Sequence, residues 1–121
     1  MLKLVLLLRR HEDLSAEQFQ SYWRERHIPL VVQLPGLRSL VLNVPQHSSG
    51  PTATTWDGIA EDWFDSPQAM ADAMISPAGQ AVAADAPNFL DMTQCQMLVV
   101  EEHTVFPAGN GSPTTATNWR E

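Results

Sequence analysis

The chain has 121 residues, with 7 Lys or Arg against 14 Asp or Glu, so its formal net charge is −7 with the histidines neutral. This length predicts a single domain. No basic stripe favours binding to nucleic acid or to an anionic membrane. The single cysteine excludes an internal disulfide. The apolar opening run is too short for a membrane helix and lacks a signal-peptide cleavage site, so we expect a cytoplasmic protein.

The first predicted elements are a strand and an amphipathic helix. Residues 2–8 are a nearly continuous aliphatic run, which is typical of a strand covered on both faces. Ser15 and Gln18 have the spacing of a capping box, so a helix should begin there. An apolar stripe follows at helical spacing, formed by Phe19, Trp23, His27, Leu30 and Leu34. Because Pro29 lacks an N–H, we expect a kink or a break beside His27.

The middle of the chain contains two predicted strands joined by a loop. Residues 37–44 should form a strand with Val41 and Asn43 on one side. Residues 45–55 are rich in Ser, Thr, Pro and Gly, which indicates a loop. Residues 56–64 are the third predicted strand, with alternating faces. Trp56, Gly58, Ala60, Asp62 and Phe64 share one face, whereas Asp57, Ile59, Glu61 and Trp63 share the other.

The last elements complete an antiparallel arrangement. Ser66-Pro67 and Ser76-Pro77 each have the form of a helix start, and residues 95–104 form the last predicted strand. The order is β-α-β-β-α-α-β, which favours an α+β fold of the ferredoxin-like plait type. We assign this domain to residues 1–106. Residues 107–121 are polar and form a predicted C-terminal tail, mobile unless Trp119 binds a partner.

Several motifs together resemble the EthD family of dimeric α/β-barrel proteins. They are Tyr22-Trp23, His27-Ile28-Pro29, Leu34-Pro35-Gly36-Leu37, Asp57-Gly58-Ile59-Ala60-Glu61 and Trp63-Phe64, together with Phe89, Asp91 and a glutamate at Glu101 or Glu102. The match spans most of residues 2–105. It implies a homodimer in which two sheets pack face to face into a barrel, which would explain two-sided burial of the first strand.

The family's known activities are varied, so the resemblance implies a fold more firmly than a reaction. Relatives are small and mostly cofactor-free. Some decarboxylate or dehydrate aromatic polyketides, others isomerise muconolactones, and the founding member accompanies an ether-degrading monooxygenase. Family members usually carry an apolar residue where this chain has Asp62, and the muconolactone isomerase branch has a reactive cysteine there.

His27 is the first candidate catalytic residue, because an imidazole exchanges protons near neutral pH and its stripe should face the sheet. The structural alternative is a core histidine bonded to a backbone carbonyl. Asp62 is the second candidate. If buried, it needs a partner such as His27, Tyr22 or Arg38, and a pair with His27 would be a proton-transfer dyad. The alternative is a solvent-exposed aspartate near a strand end.

Candidate substrate-binding residues are Tyr22, Trp23, Asn43, Phe64 and Phe89, with Tyr22 or Asn43 steadying a developing oxyanion. Glu61 and Trp63 face the other way, and we expect a structural role for them at a dimer interface. Cys95 is predicted to be a buried, inert thiol. No motif has the spacing of metal ligands, so no metal is expected. Distant barrel relatives bind haem through histidine, for which His27, His47 or His103 could serve, but we expect no cofactor.

The sequence therefore leaves three candidate functions. The first is a small cofactor-independent lyase or isomerase, of decarboxylase, dehydratase or cyclase type, acting by proton transfer on an aromatic, polyketide-like or lactone substrate. The second is a non-catalytic accessory protein that binds a hydrophobic small molecule. The third is a cofactor-free monooxygenase.

Overall fold

A computed structural model describes residues 1–46 and 49–108. Its elements, in chain order, are β1 (Leu2–Leu8), α1 (Ala16–Tyr22), a π-helical turn (Trp23–His27), α2 (Ile28–Val31), β2 (Ser39–Asn43), β3 (Gly58–Phe64), α3 (Pro67–Ile75), α4 (Pro77–Asp85), a 3-10 turn (Ala86–Asn88) and β4 (Gln96–Glu101). The predicted order of strands and helices is confirmed. His47 and residues 109–121, with most of the predicted tail, lie outside the described residues.

The four strands form one antiparallel sheet in the order β2-β3-β1-β4. This strand order, with helices packed on the sheet, is the predicted ferredoxin-like α+β fold. The register places Asp62 of β3 opposite Leu4 of β1 and Leu40 of β2. Because residues opposite one another in an antiparallel pair share a face, Asp62 lies on the apolar, helix-covered face of the sheet.

The first helical segment is widened into a π-helical turn just before Pro29. Ser15 caps α1 with the predicted capping box. The Ile28 N–H donates to the Trp23 carbonyl, five residues back, and α2 then begins with Pro29 in its first turn. Pro29 has no N–H to continue the regular ladder, so the predicted disturbance takes this form. The turn leaves both Trp23 and His27 buried against the sheet.

Three strands are shorter than predicted. β2 covers residues 39–43, β4 covers residues 96–101, and β3 begins at Gly58 rather than at Trp56. β3 begins later than predicted because Asp57 is hydrogen-bonded to residues at the end of β1. Its carboxylate accepts hydrogen bonds from both the Arg9 and the Arg10 side chains, and its N–H donates to the carbonyl of Leu8. These bonds hold Asp57 at the end of β1, outside the ladder.

The helices that the structure describes cover one face of the sheet, and we call the other one the outer face. Val41 and Leu98 lie on it with 39% and 44% of their surface exposed. The described residues of this chain therefore do not supply the two-sided cover expected for β1. The outer face also carries a polar network, in which Lys3 donates to Glu61 and the Trp63 indole donates to Glu102. None of the described helices has the length and apolar character needed to cross a bilayer.

Candidate functional site

A cavity of about 470 Å³ lies between the helices and the sheet. Its walls are mainly leucines of β1, the Trp23 ring and apolar side chains of α4. Three methionines, Met74, Met92 and Met97, line it and are also exposed, so the cavity is open to the surface beside them. A concave, mostly apolar space of this size with a few polar groups is typical of a small-molecule site.

His27 lines this cavity and is held by a carboxylate that sequence analysis did not identify. Its Nδ1 lies 2.8 Å from Oδ2 of Asp85, the last residue of α4. The other oxygen of Asp85 accepts hydrogen bonds from the Tyr22 hydroxyl at 2.6 Å and from the Asn88 amide at 3.1 Å. The Phe89 ring packs on the imidazole, with centroids 4.6 Å apart. The ring of His27 is thus fixed by contacts on two sides.

These bonds determine which imidazole nitrogen is left for chemistry. Burial favours the neutral form of Asp85, but hydrogen bonds from Tyr22, His27 and Asn88 outweigh it and hold the pKa of that carboxyl below its usual value. An ionised carboxylate only accepts, so Nδ1 of His27 must carry the proton that it shares with Asp85. In neutral His27 the other nitrogen, Nε2, is then the unprotonated one and can act as a base.

Asp62 also lines the cavity, and it has no partner among the described residues. It is only 4% exposed, it lies between the two leucines opposite it, and its Oδ1 accepts no hydrogen bond from any residue that the structure describes. Burial raises the pKa of its carboxyl to about 6. A buried carboxylate without a bonding partner is costly, and perturbed groups of this kind concentrate at functional sites.

This geometry corrects the expected pairing of Asp62. The three proposed partners are engaged elsewhere, because His27 and Tyr22 both contact Asp85 and Arg38 lies 3.5 Å from Asp65. No His27–Asp62 dyad exists. The alternative of a solvent-exposed Asp62 is also wrong, since the side chain is buried in the sheet. The alternative of a core His27 bonded to a backbone carbonyl is replaced by the carboxylate contact.

Two of the five predicted substrate-binding residues, Trp23 and Phe89, line the cavity. The other three do not. Asn43 lies on the outer face, where its amide donates to Glu61 and to the Ile59 carbonyl. Phe64 is fully buried in an apolar cluster with Val31, Leu34 and Ala73 and is not part of the cavity lining. Tyr22 turns its hydroxyl to Asp85, which raises the pKa of Tyr22. Neither Tyr22 nor Asn43 is placed to steady an oxyanion in the cavity.

The remaining sequence candidates lie as follows. The half-buried thiol of Cys95 accepts from the Arg9 N–H and donates to the Arg9 carbonyl, and burial raises its pKa, which fits the inert thiol that we predicted. His103 is exposed and lies 3.3 Å from Glu101. Across residues 1–46 and 49–108, no three His, Cys, Asp or Glu side chains gather in a way that could hold a metal ion.

Sequence analysis missed Asp85, although one signal was present. An acidic residue in the last turn of a helix opposes the helix dipole and needs a compensating partner. Asp85 ends α4 and is the only charged residue between Asp72 and Asp91. Its isolation indicates that Asp85 needs a partner. Which side chain it contacts depends on how α4 packs against the first helical segment.

Comparison with known proteins gives one family and one fold. A family model described as the EthD domain matches residues 11–93. The chain is 30% identical over 89 residues to an uncharacterized 11.0 kDa protein in the thcB-thcC intergenic region of Rhodococcus erythropolis, covering 74% of this chain and 84% of that protein.

Among solved structures, an ethyl tert-butyl ether D family protein of Bacillus halodurans superposes with a TM-score of 0.73, at 24% identity over 85% of this chain and 99% of that chain. A cofactor-independent oxygenase, SnoaB of Streptomyces nogalater, gives 0.65 at 13% identity, over 88% and 97%. A dimeric ferredoxin-like protein of unknown function from Bacteroides fragilis gives 0.64 at 12% identity, over 84% and 95%. These likenesses establish the fold.

Proposed function

This chain belongs to the EthD domain family, and we propose that it is a small cofactor-independent lyase or isomerase that moves protons on an aromatic, polyketide-like or lactone substrate. The observation that carries the proposal is the fixed imidazole. Asp85 occupies Nδ1 of His27, while the ring lines an apolar cavity. That arrangement leaves a base at Nε2 in a space suited to a hydrophobic ligand.

The proposed reaction begins with a C–H bond next to a carbonyl group. Nε2 of His27 takes the proton, and the bonding electrons move to the carbonyl oxygen to give an enolate. Asp85 stabilises the imidazolium that forms, because its negative charge lies 2.8 Å from Nδ1. Return of the proton to another carbon is an isomerisation. Its delivery to a leaving hydroxyl on the β-carbon releases water and is a dehydration. Asp62 serves as the second polar contact to the substrate.

A solvent-exchange measurement tests this proposal without knowledge of the natural substrate. The protein is incubated in D₂O with 2-tetralone or α-angelica lactone, whose C–H bonds next to the carbonyl are acidic, and deuterium uptake is followed by NMR. Wild type should accelerate the exchange, and His27→Gln should lose about a hundredfold or more of that acceleration. The matched control is His103→Gln, which changes an exposed histidine. Exchange by His27→Gln at the wild-type rate would refute the role of His27.

Two other functions have distinct outcomes in the same experiment. Tight binding of both probes with no exchange by wild type would favour a non-catalytic binding protein. A cofactor-free monooxygenase has support from the fold shared with SnoaB. It would begin with the same deprotonation but then consume oxygen, so an oxygen electrode with an anthrone as substrate separates it from a lyase or isomerase.

We further propose a homodimer formed through the outer face. The support is that this face exposes Val41 and Leu98, that no described helix covers it, and that a structural neighbour is described as dimeric. Glu61 bonds to Lys3 and Asn43 within the chain, which satisfies its carboxylate before any partner approaches. Two apolar faces of this kind can pack together with their polar groups already paired.

A further inference from the structure

Asp62 lies among apolar side chains of the sheet, and nothing within the described residues pairs with its carboxylate. Its neighbours across the sheet are Leu4 and Leu40, and Oδ1 is buried with no hydrogen bond to the described part of the chain. Buried polar atoms in folded proteins are satisfied in the great majority of cases. Since Asp62 lines the cavity, a ligand in that cavity is in a position to supply the missing donor.

The described lining of the cavity also offers no lysine or arginine that could pair with an acid. Lys3 is bound by Glu61 on the outer face, Arg9 and Arg10 are both bound by Asp57, and Arg38 lies beside Asp65. A carboxylate entering this apolar space would lose its hydration without gaining a lysine or arginine as counter-ion, and it would meet Asp62.

We propose that the cavity selects an uncharged ligand whose phenol or enol hydroxyl donates a hydrogen bond to Asp62, and that it rejects ligands carrying a carboxylate. This inference rests on the proposed function, since it treats the cavity as the substrate site. It also narrows that function. Dehydration or isomerisation of a neutral hydroxylated carbonyl compound fits the cavity, whereas decarboxylation of an anionic acid does not. A hydroxyl donor satisfies Asp62 without a second buried charge.

Affinities of matched naphthalene probes test the inference at about pH 7.5, where carboxylic acids are ionised. The probes are 2-naphthol, 2-methoxynaphthalene, which has no donor, 2-naphthoate and 2-naphthylmethylammonium. Wild type should bind 2-naphthol at least about tenfold more tightly than 2-methoxynaphthalene, which is about 1.4 kcal/mol. It should bind 2-naphthoate at least about tenfold more weakly than 2-naphthol.

The variants then assign this selectivity to Asp62. In Asp62→Leu the preference for 2-naphthol over 2-methoxynaphthalene should fall to near unity, and 2-naphthoate should bind more tightly than it does to wild type. Asp62→Asn keeps the side-chain volume and provides a second test if the leucine variant folds poorly. Asp13→Asn is the matched control, because it removes an equal charge from an exposed position. That control should bind all four probes as wild type does.

Several results would overturn the inference. They are equal binding of 2-naphthoate and 2-naphthol by wild type, an unchanged hydroxyl preference in Asp62→Leu, tighter binding of the ammonium probe than of 2-naphthol, and no binding of any probe. Deuterium exchange measured on the same samples keeps the two proposals apart. Selectivity without exchange dependent on His27 would refute only the proposed function. Exchange without selectivity would refute only the role of Asp62.

Discussion

Nδ1 of His27 lies 2.8 Å from Oδ2 of Asp85, although the two residues are 58 positions apart. The contact predicts that Asp85→Asn strongly lowers the rate of proton exchange at His27. An amide can present its oxygen or its nitrogen to Nδ1 and carries no charge, so it neither fixes the tautomer nor stabilises the imidazolium. We expect the rate of probe deuteration to fall about tenfold to a thousandfold with little change in probe affinity.

The imidazole ¹⁵N shifts of His27 distinguish this positioning role from a purely structural one. At pH values where the ring is neutral, the wild-type shifts should report a protonated Nδ1, and in Asp85→Asn they should move toward a tautomer mixture. Asp85→Glu should restore part of the rate, while Asp65→Asn, at an exposed strand end, should behave as wild type. Unchanged shifts and rate in Asp85→Asn would show that the contact has no influence on His27.

Tyr22→Phe should affect stability and not ligand binding. The substitution removes the 2.6 Å hydrogen bond to Asp85 and leaves the ring contact with Phe89. Hydrogen bonds to charged groups contribute about 1.5–3 kcal/mol. Because Asp85 is partly exposed, we expect a loss of about 1 kcal/mol in urea denaturation. Since Tyr22 does not line the cavity, the affinity for 2-naphthol should be unchanged. A tenfold loss of that affinity would show that Tyr22 takes part in ligand binding.

The stability of the protein should depend on pH through Asp62. Burial raises the pKa of this carboxyl from 3.8 to about 6, so the folded state binds the proton more tightly than the unfolded state. Its contribution to the free energy of unfolding is therefore complete below about pH 4 and is lost as the pH rises to about 6. The loss is of the order of 3 kcal/mol.

Asp62→Asn isolates this effect. The free energy of unfolding of the variant minus that of wild type should increase from pH 4 to pH 6 and then level off, while the other carboxyls cancel because both proteins contain them. Chemical denaturation at a series of pH values measures the difference. A flat difference over this range would mean that Asp62 is solvated in the folded protein.

The fold was predictable from local patterns, and the site was predictable only in part. Alternation along β3 assigned Asp62 to the face that the helices cover, and the capping box located the start of α1. The apolar stripe likewise identified His27 as facing the sheet. No local pattern carried the partner of His27, because that contact depends on how the end of α4 packs against the first helical segment. Sequence analysis considered two states for Asp62, buried with a partner or exposed to solvent. In the structure Asp62 is buried and has no partner among the described residues.

Gly58 has a packing role that predicts a specific defect. An added Cβ would lie 2.6 Å from Cζ3 of Trp23, whose ring covers this position and lines the cavity. Gly58→Ala should therefore destabilise the protein by about 1–3 kcal/mol and weaken 2-naphthol binding. Trp23→Phe removes the clashing ring carbons. In the Trp23→Phe background, Gly58→Ala should therefore lower the free energy of unfolding much less than it does in wild type. Additive losses in this double-mutant cycle would contradict the proposed clash.

The outer face should control assembly, and two neighbouring residues of β4 provide the test. Leu98 is 44% exposed on the outer face, and Val99 is 52% exposed on the opposite one. If two copies pack through the outer face, Leu98→Glu buries an unpaired carboxylate and should weaken the dimer by about a hundredfold or more. Val99→Glu introduces the same charge one residue away and should remain dimeric in light scattering. If both variants stay dimeric, the outer face is not the contact. If Val99→Glu alone dissociates, the copies meet through the opposite face of β4 instead.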